Sequence, residues 1–206
     1  MGVLLFLTSE ALVGAGIVWL DHVARNESSA RGLTMSIHLI NTFTLMACAV
    51  LSWIYSGRMG VQAAPSRRSP WAYGGLGLIL LVGISGAITA LGDTLFPPSS
   101  LGEAFSLAQE TSSHLFIRLR IYHPFLALCS VAYLGFFAWH SANMEWERRH
   151  RYFWFMGILL LQVVVGYWNV HLLAPVWMQV VHLFVAQCVW MSYVGIWIAA
   201  KKQRDL

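Results

Sequence analysis

Three of the eight histidines in this 206-residue chain stand inside long apolar runs. An ionisable side chain is costly there and points to function. His38, His123 and His182 each fall roughly five to eight residues past the same end of their runs, a shared depth on the order of 10 Å. Two imidazoles at equal depth on neighbouring helices can ligate one metal from opposite sides. A flat macrocycle such as haem fits that geometry, with histidine as the axial ligand on each face. Ala127 and Ala186, four residues beyond His123 and His182, share their helical faces and would leave room for a ring. The plainer role of such alanines is to let helices approach closely. Arg118 and Arg120, one turn before His123, suit bidentate contacts to haem propionates. Snorkelling to lipid headgroups is the competing role. Pro124 removes a helical hydrogen bond beside His123 and is expected to bend the helix there. His22, His114, His140, His150 and His171 sit at helix ends or in loops, where wet polar groups are ordinary.

The elements that must position these residues follow from composition. Hydrophobic residues make up 58% of the chain and charged residues 11%, whereas a globular domain carries about 25% charged. Disorder, coiled coil, collagen and a disulfide-rich scaffold are excluded, and an all-α polytopic membrane protein remains. Six apolar stretches predict six transmembrane helices, over 3–21, 33–56, 71–92, 115–139, 152–171 and 176–200. The first run lacks a basic leader and a small-residue cleavage site, so it reads as a span rather than a signal peptide.

The net charge of +4 is distributed by side. Arg58, Arg67 and Arg68, then Arg148, Arg149 and Arg151, then Lys201, Lys202 and Arg204 fall on one face of a six-span topology. The opposite face has the long loop 93–113, with Asp93, Glu103 and Glu110 and no lysine or arginine. The positive-inside rule places both termini in the cytoplasm. No basic stripe interleaves with aromatics on a polar surface, so nucleic acid is not an expected partner; the lipid bilayer is. Cys48, Cys129 and Cys188 lie in apolar runs without a Cys-x-x-Cys, which fits packing rather than zinc or a disulfide.

A short internal repeat organises the spans. Glu10-Ala-Leu-Val-Gly14 followed by Met35-Ser-Ile-His38-Leu39 parallels Gln162-Val-Val-Val-Gly166 followed by Gln179-Val-Val-His182-Leu183. The first two helices therefore copy the last two. The last four would form a complete four-helix unit (71–206), joined through a cytoplasmic loop (58–70) to half of a second unit (1–57). Glu10 is a buried carboxyl on this reading. Its repeat mate is neutral Gln162, which favours an interhelical hydrogen bond from a protonated Glu10 over catalysis.

These motifs carry a resemblance. Leu161-Gln-Val-Val-Val-Gly166-Tyr-Trp-Asn169-Val, Leu173-Ala-Pro-Val-Trp-Met-Gln-Val-Val-His182-Leu183, Arg118-Leu-Arg-Ile-Tyr-His123-Pro124 and Leu91-Gly-Asp93-Thr-Leu-Phe-Pro97 are similar to segments of the haem A synthase family of bacterial and mitochondrial membranes. So are Thr8-Ser-Glu10-Ala-Leu-Val-Gly14 and Ser36-Ile-His38-Leu39-Ile-Asn41-Thr. The likeness extends over essentially the whole chain. It implies two four-helix bundles related by a pseudo-twofold axis, a haem b between His123 and His182, and His38 facing the iron of a substrate haem O. The implied activity is oxidation of a ring methyl of haem O to a formyl group, giving haem A for cytochrome oxidase assembly in a bacterial inner membrane. A homo-oligomer or a haem O synthase is the implied protein partner.

The family's Glu-x-x-x-His-Arg helix, with a carboxylate proposed to be catalytic and the second N-terminal ligand, has no counterpart in these residues. The catalytic residue is therefore unassigned. The repeat reaches the same gap: two helices expected ahead of residue 1 are not in this sequence. The sequence begins late, or a partner or second copy completes the bundle, or synthase chemistry has been lost. A non-catalytic haem b or electron-transfer protein is the alternative function, and a cofactor-free transporter built on repeats is a third.

Overall fold

The computed structural model describes residues 2–23, 26–58, 70–144 and 149–199, with the side chains at 57–58, 141–144 and 199 excluded. Arg67, Arg68, Arg148, Lys201, Lys202 and Arg204, which carry much of the expected charge asymmetry, lie outside the described residues. The described chain is helical: α1 (Gly2–Trp19), α2 (Ser29–Trp53), a π-helical turn (Ile54–Arg58), α3 (Pro70–Leu95), α4 (Leu101–Gln109), α5 (Leu115–Met144), α6 (Arg149–His171) and α7 (Val176–Ala199). All but α4 are long and apolar enough to cross a membrane, so the six expected spans are present.

Their ends differ from the sequence reading for local reasons. Helix α2 begins four residues early because Ser28 caps it, its hydroxyl accepting from Arg31 N–H at 3.3 Å. Helix α3 continues to Leu95, so Asp93 stands in its last turn and not in a loop. Helix α5 runs unbroken through Pro124. The long acidic connection is not a plain loop, since it folds into α4. Ser100 accepts from Glu103 N–H at 3.2 Å, while Ser99 N–H donates back to the Glu103 carboxylate at 2.7 Å. Those bonds, with a second from the Ser99 hydroxyl, hold the Glu103 carboxyl below its ordinary range.

Helices α3, α5, α6 and α7 close into a ring in which each packs on two neighbours. Helix α2 lies in the groove between α3 and α7, and α1 packs on α2. None of the residues of α1 is buried. The core gathers Leu39 and Phe43 of α2 with Leu134, Phe155, Leu159, Trp190 and Tyr193 of the ring. Trp190 ties α2 to α7 twice: its indole N–H donates to Phe43 O at 2.7 Å, and the two rings stack at 5.2 Å.

Helices α3 and α7 approach closely at a glycine. Tyr193 is fully buried, and its hydroxyl donates to Ala72 O at 3.0 Å. A Cβ on Gly75 would overlap that hydroxyl oxygen and Cζ, in a rigid ring that has nowhere to retreat. Gly75→Ala is therefore expected to cost about 1–3 kcal/mol by overpacking. Gly77→Ala, where nothing lies within 4 Å, should leave stability unchanged or raise it slightly. Thermal unfolding of the two variants in detergent compares them. Equal midpoints would mean that the α3–α7 contact is not tight.

Candidate functional site

His123 on α5 and His182 on α7 point at each other across the ring of four helices. Their ring centroids are 6.5 Å apart and their planes cross at 90°. Two imidazoles held at about 2.0 Å on opposite sides of one metal, with about 1.1 Å from nitrogen to ring centre, would be separated by about 6.2 Å. The observed pair fits that spacing. No group of three or more His, Cys, Asp or Glu able to hold a bare ion is found among the described residues. A pair of imidazoles at this spacing would suit a metal whose remaining ligands come with a macrocycle.

The neighbouring helices orient each ring. Ser85 Oγ of α3 is 2.9 Å from His123 Nδ1, and Gln162 Nε2 of α6 is 3.3 Å from both ring nitrogens of His182. An Nδ1 engaged by Ser85 leaves His123 Nε2 for a metal. Glycines make room for both imidazoles. A Cβ on Gly86 would lie 2.9 Å from His123 Cε1, and one on Gly166 would lie 3.0 Å from His182 Cε1. Ala127 and Ala186 are half-buried one turn further along.

The two arginines part company. Arg120 is bound within the protein: its Nε donates to Asp93 Oδ1 at 2.6 Å and its Nη2 to Phe96 O at 3.2 Å. Only its buried Nη1 lacks a partner. Arg118 is half-buried, and its guanidinium has no partner among the described residues. Of the expected propionate contacts, Arg118 and the spare Nη1 of Arg120 are what remain.

His38 is not brought into this cluster. It sits on α2, outside the ring, against α1. Its Nδ1 is 3.5 Å from Glu10 Oε1, with the imidazole 33% and the carboxylate 20% exposed. Asn41 Nδ2 donates to Glu10 Oε2, and Thr42 Oγ bonds to Glu10 Oε1. Glu10 is thus bonded between the two helices, but as an acceptor from Asn41 rather than as the donor expected of a protonated carboxyl. Its partners Asn41 and Thr42 fall within the segment that carries the family resemblance, but nothing in that segment pairs them with Glu10.

The hairpins α1–α2, α3–α5 and α6–α7 share one arrangement, with the first helix supplying the polar partner and the second the histidine. Ser85 and Gly86 make α3–α5 a third instance. The sequence repeat does not display it because the serine adjoins the glycine, whereas Glu10 and Gln162 precede theirs by four residues. Of the remaining described histidines, His150 is exposed and the other four have local contacts. His22 Nδ1 is 2.9 Å from Thr34 Oγ, His114 lies between Phe96 and Phe116, and His140 and His171 stack on Phe136 and Tyr167.

The chain is 37% identical over 204 residues to proteins named protoheme IX farnesyltransferase from two strains of Thermus thermophilus. The match covers 93% of this chain but only 32% of each relative, so the chain spans about a third of their length. No solved structure matches it. A family model described as cytochrome oxidase assembly protein matches residues 1–194. With nearly its whole length inside that match and six membrane-spanning helices to place in a bilayer, the chain belongs to the cytochrome oxidase assembly protein family.

Proposed function

We propose that this membrane protein handles haem during cytochrome oxidase assembly, holding haem b between His123 and His182 and oxidising haem O to haem A. The single observation that carries the reading is the 6.5 Å separation of the two imidazoles within a closed helix ring. Haem would supply redox-active iron; the chain supplies everything around it. His123 and His182 bind, Ser85 and Gln162 orient them, and Gly86 and Gly166 leave space for the rings. Arg118 offers a positive charge to a carboxylate of the ligand, and the apolar helices exclude water. His38 would face the substrate iron, with no catalytic carboxylate assigned.

An apolar cleft of about 400 Å³ between α2, α3 and α5, lined by Gly32, Ile40, Ile84 and Phe116 among others, suits a hydrophobic tail. Such a tail fits a substrate made by farnesyl transfer to protohaem, the activity for which the Thermus relatives are named. A haem O synthase is accordingly the proposed neighbour, with a second copy of this chain as the other candidate. The arginine distribution supports a bacterial inner-membrane orientation with both termini cytoplasmic. A haem b or electron-transfer protein without synthase chemistry is the second reading. It is favoured by His38 having no second histidine against it among the described residues.

Expression in a host that makes haem O but lacks its own synthase separates the readings. Haem A in extracted pigments is the expected result. A red protein without haem A would leave the second reading, and a colourless protein would overturn both.

A further inference from the structure

We propose that Glu10 is the positioning residue of His38, its carboxylate accepting the Nδ1–H and presenting Nε2 as the ligand atom. The inference rests on the reading of His38 as an iron ligand. His38 Nδ1 is buried and makes no hydrogen bond, while Glu10 Oε1 stands 3.5 Å away. Buried ring nitrogens are nearly always paired, and this carboxylate is the polar group that faces it.

The carboxylate is clamped from the same helix. His38, Asn41 and Thr42 occupy positions i, i+3 and i+4 of α2, so they form one face, and Glu10 reaches into it from α1. Asn41 holds Oε2 and Thr42 holds Oε1. The Ser9 hydroxyl, bonded to Asn41 Oδ1, fixes the amide with its nitrogen toward Glu10. Thr42 Oγ also lies 2.9 Å from the His38 carbonyl, so its one hydrogen is shared between that carbonyl and Glu10 Oε1. A side chain held at both oxygens by the helix that carries the histidine sets the orientation of that imidazole.

The other two histidines show what is particular here. The partner of His123 is a hydroxyl and that of His182 an amide. Only Glu10 can carry a negative charge. A carboxylate on Nδ1 raises the basicity of the imidazole and strengthens its bond to iron, whereas a neutral partner does so less. The two sites are therefore built to hold iron with different strengths and potentials, and the difference is written at position 10.

The test uses the purified full chain with added ferric protohaem, reduced and examined by resonance Raman spectroscopy. A haem held by one histidine shows an iron–histidine stretching band that a six-coordinate bis-histidine haem does not. Wild-type protein is expected to show the band. Glu10→Gln should move it to lower wavenumber and weaken haem retention at this site about 10–100-fold. Glu10→Asp, which keeps the charge, should restore part of the shift. The low-spin spectrum of the haem at His123 and His182 reports the fold in the same samples and should not change. If His38→Ala abolishes the band but Glu10→Gln leaves it unmoved, the positioning role is overturned and the ligand reading stands. If His38→Ala retains the band, or binds as much haem at this site as a wild-type protein that shows no band, His38 is not the ligand and both fall.

Discussion

Replacing His123 or His182 with alanine is expected to lower haem affinity by about 100-fold or more and to abolish the low-spin spectrum of the purified protein. Loss of an orienting partner alone typically costs 10–100-fold, and these substitutions remove a ligand itself. The two rings stand 6.5 Å apart, so neither can be replaced by a neighbouring histidine. His140 and His171 are stacked on aromatic rings of their own helices. Their alanine variants should keep full haem content, which makes them the matched controls. Haem per protein, measured by pyridine haemochrome against protein concentration, reads the effect. Full haem content in both the His123→Ala and His182→Ala proteins would overturn the assignment. Imidazole supplied to the cavity left by either side chain is expected to restore part of the haem content and the low-spin spectrum, because the remaining ligand and the helix ring persist.

The legibility of this protein divides by the range of the interaction. The six spans were readable because an apolar run of about 20 residues has one common solution in a membrane. His123 and His182 were readable because burying an imidazole needs a reason and two at one depth share it. The partner that orients His123 was not, since Ser85 and Gly86 are ordinary residues of membrane helices until a fold brings a ring against them. Helix α4 could have been found. Ser100-Leu-Gly-Glu103 is a capping-box sequence, overlooked inside a stretch read only for its negative charge. Tyr193 and Gly75 are 118 positions apart, and no local pattern announces that one must be small for the other to fit. Asp93 belongs to the same class. The sequence marks it as a charge and as part of the Leu91–Pro97 segment, while its function as the partner of Arg120 depends on α3 continuing past it.

That pair supports the largest expected loss of stability. Asp93 and Arg120 are 11% and 13% exposed, and their 2.6 Å contact joins α3 to α5 where the two backbones nearly touch. A Cβ on Gly92 would meet Phe116 O at 2.7 Å, so the helices cannot separate to admit lipid or water without breaking their packing. Removing one member strands the other, which for a buried pair costs about 3–5 kcal/mol. The two single variants should not be equal. Arg120 cannot shed its proton, so Asp93→Ala leaves a permanent cation that must reorganise toward the headgroups. Asp93 left alone in Arg120→Ala can be neutralised by taking up a proton, which limits the damage. Asp93→Ala is therefore expected to be the more destabilising, and the double variant to be milder than the sum of the singles by about 2–3 kcal/mol, the upper range of coupling between contacting residues. Helical circular dichroism followed through thermal or denaturant unfolding gives the cycle. Because Arg120 lies three residues before His123 on α5, Asp93→Ala should also loosen the haem held there while the double variant recovers part of it. Additive losses across the cycle would show that the two side chains contribute separately and that the ion pair does not lock α3 to α5.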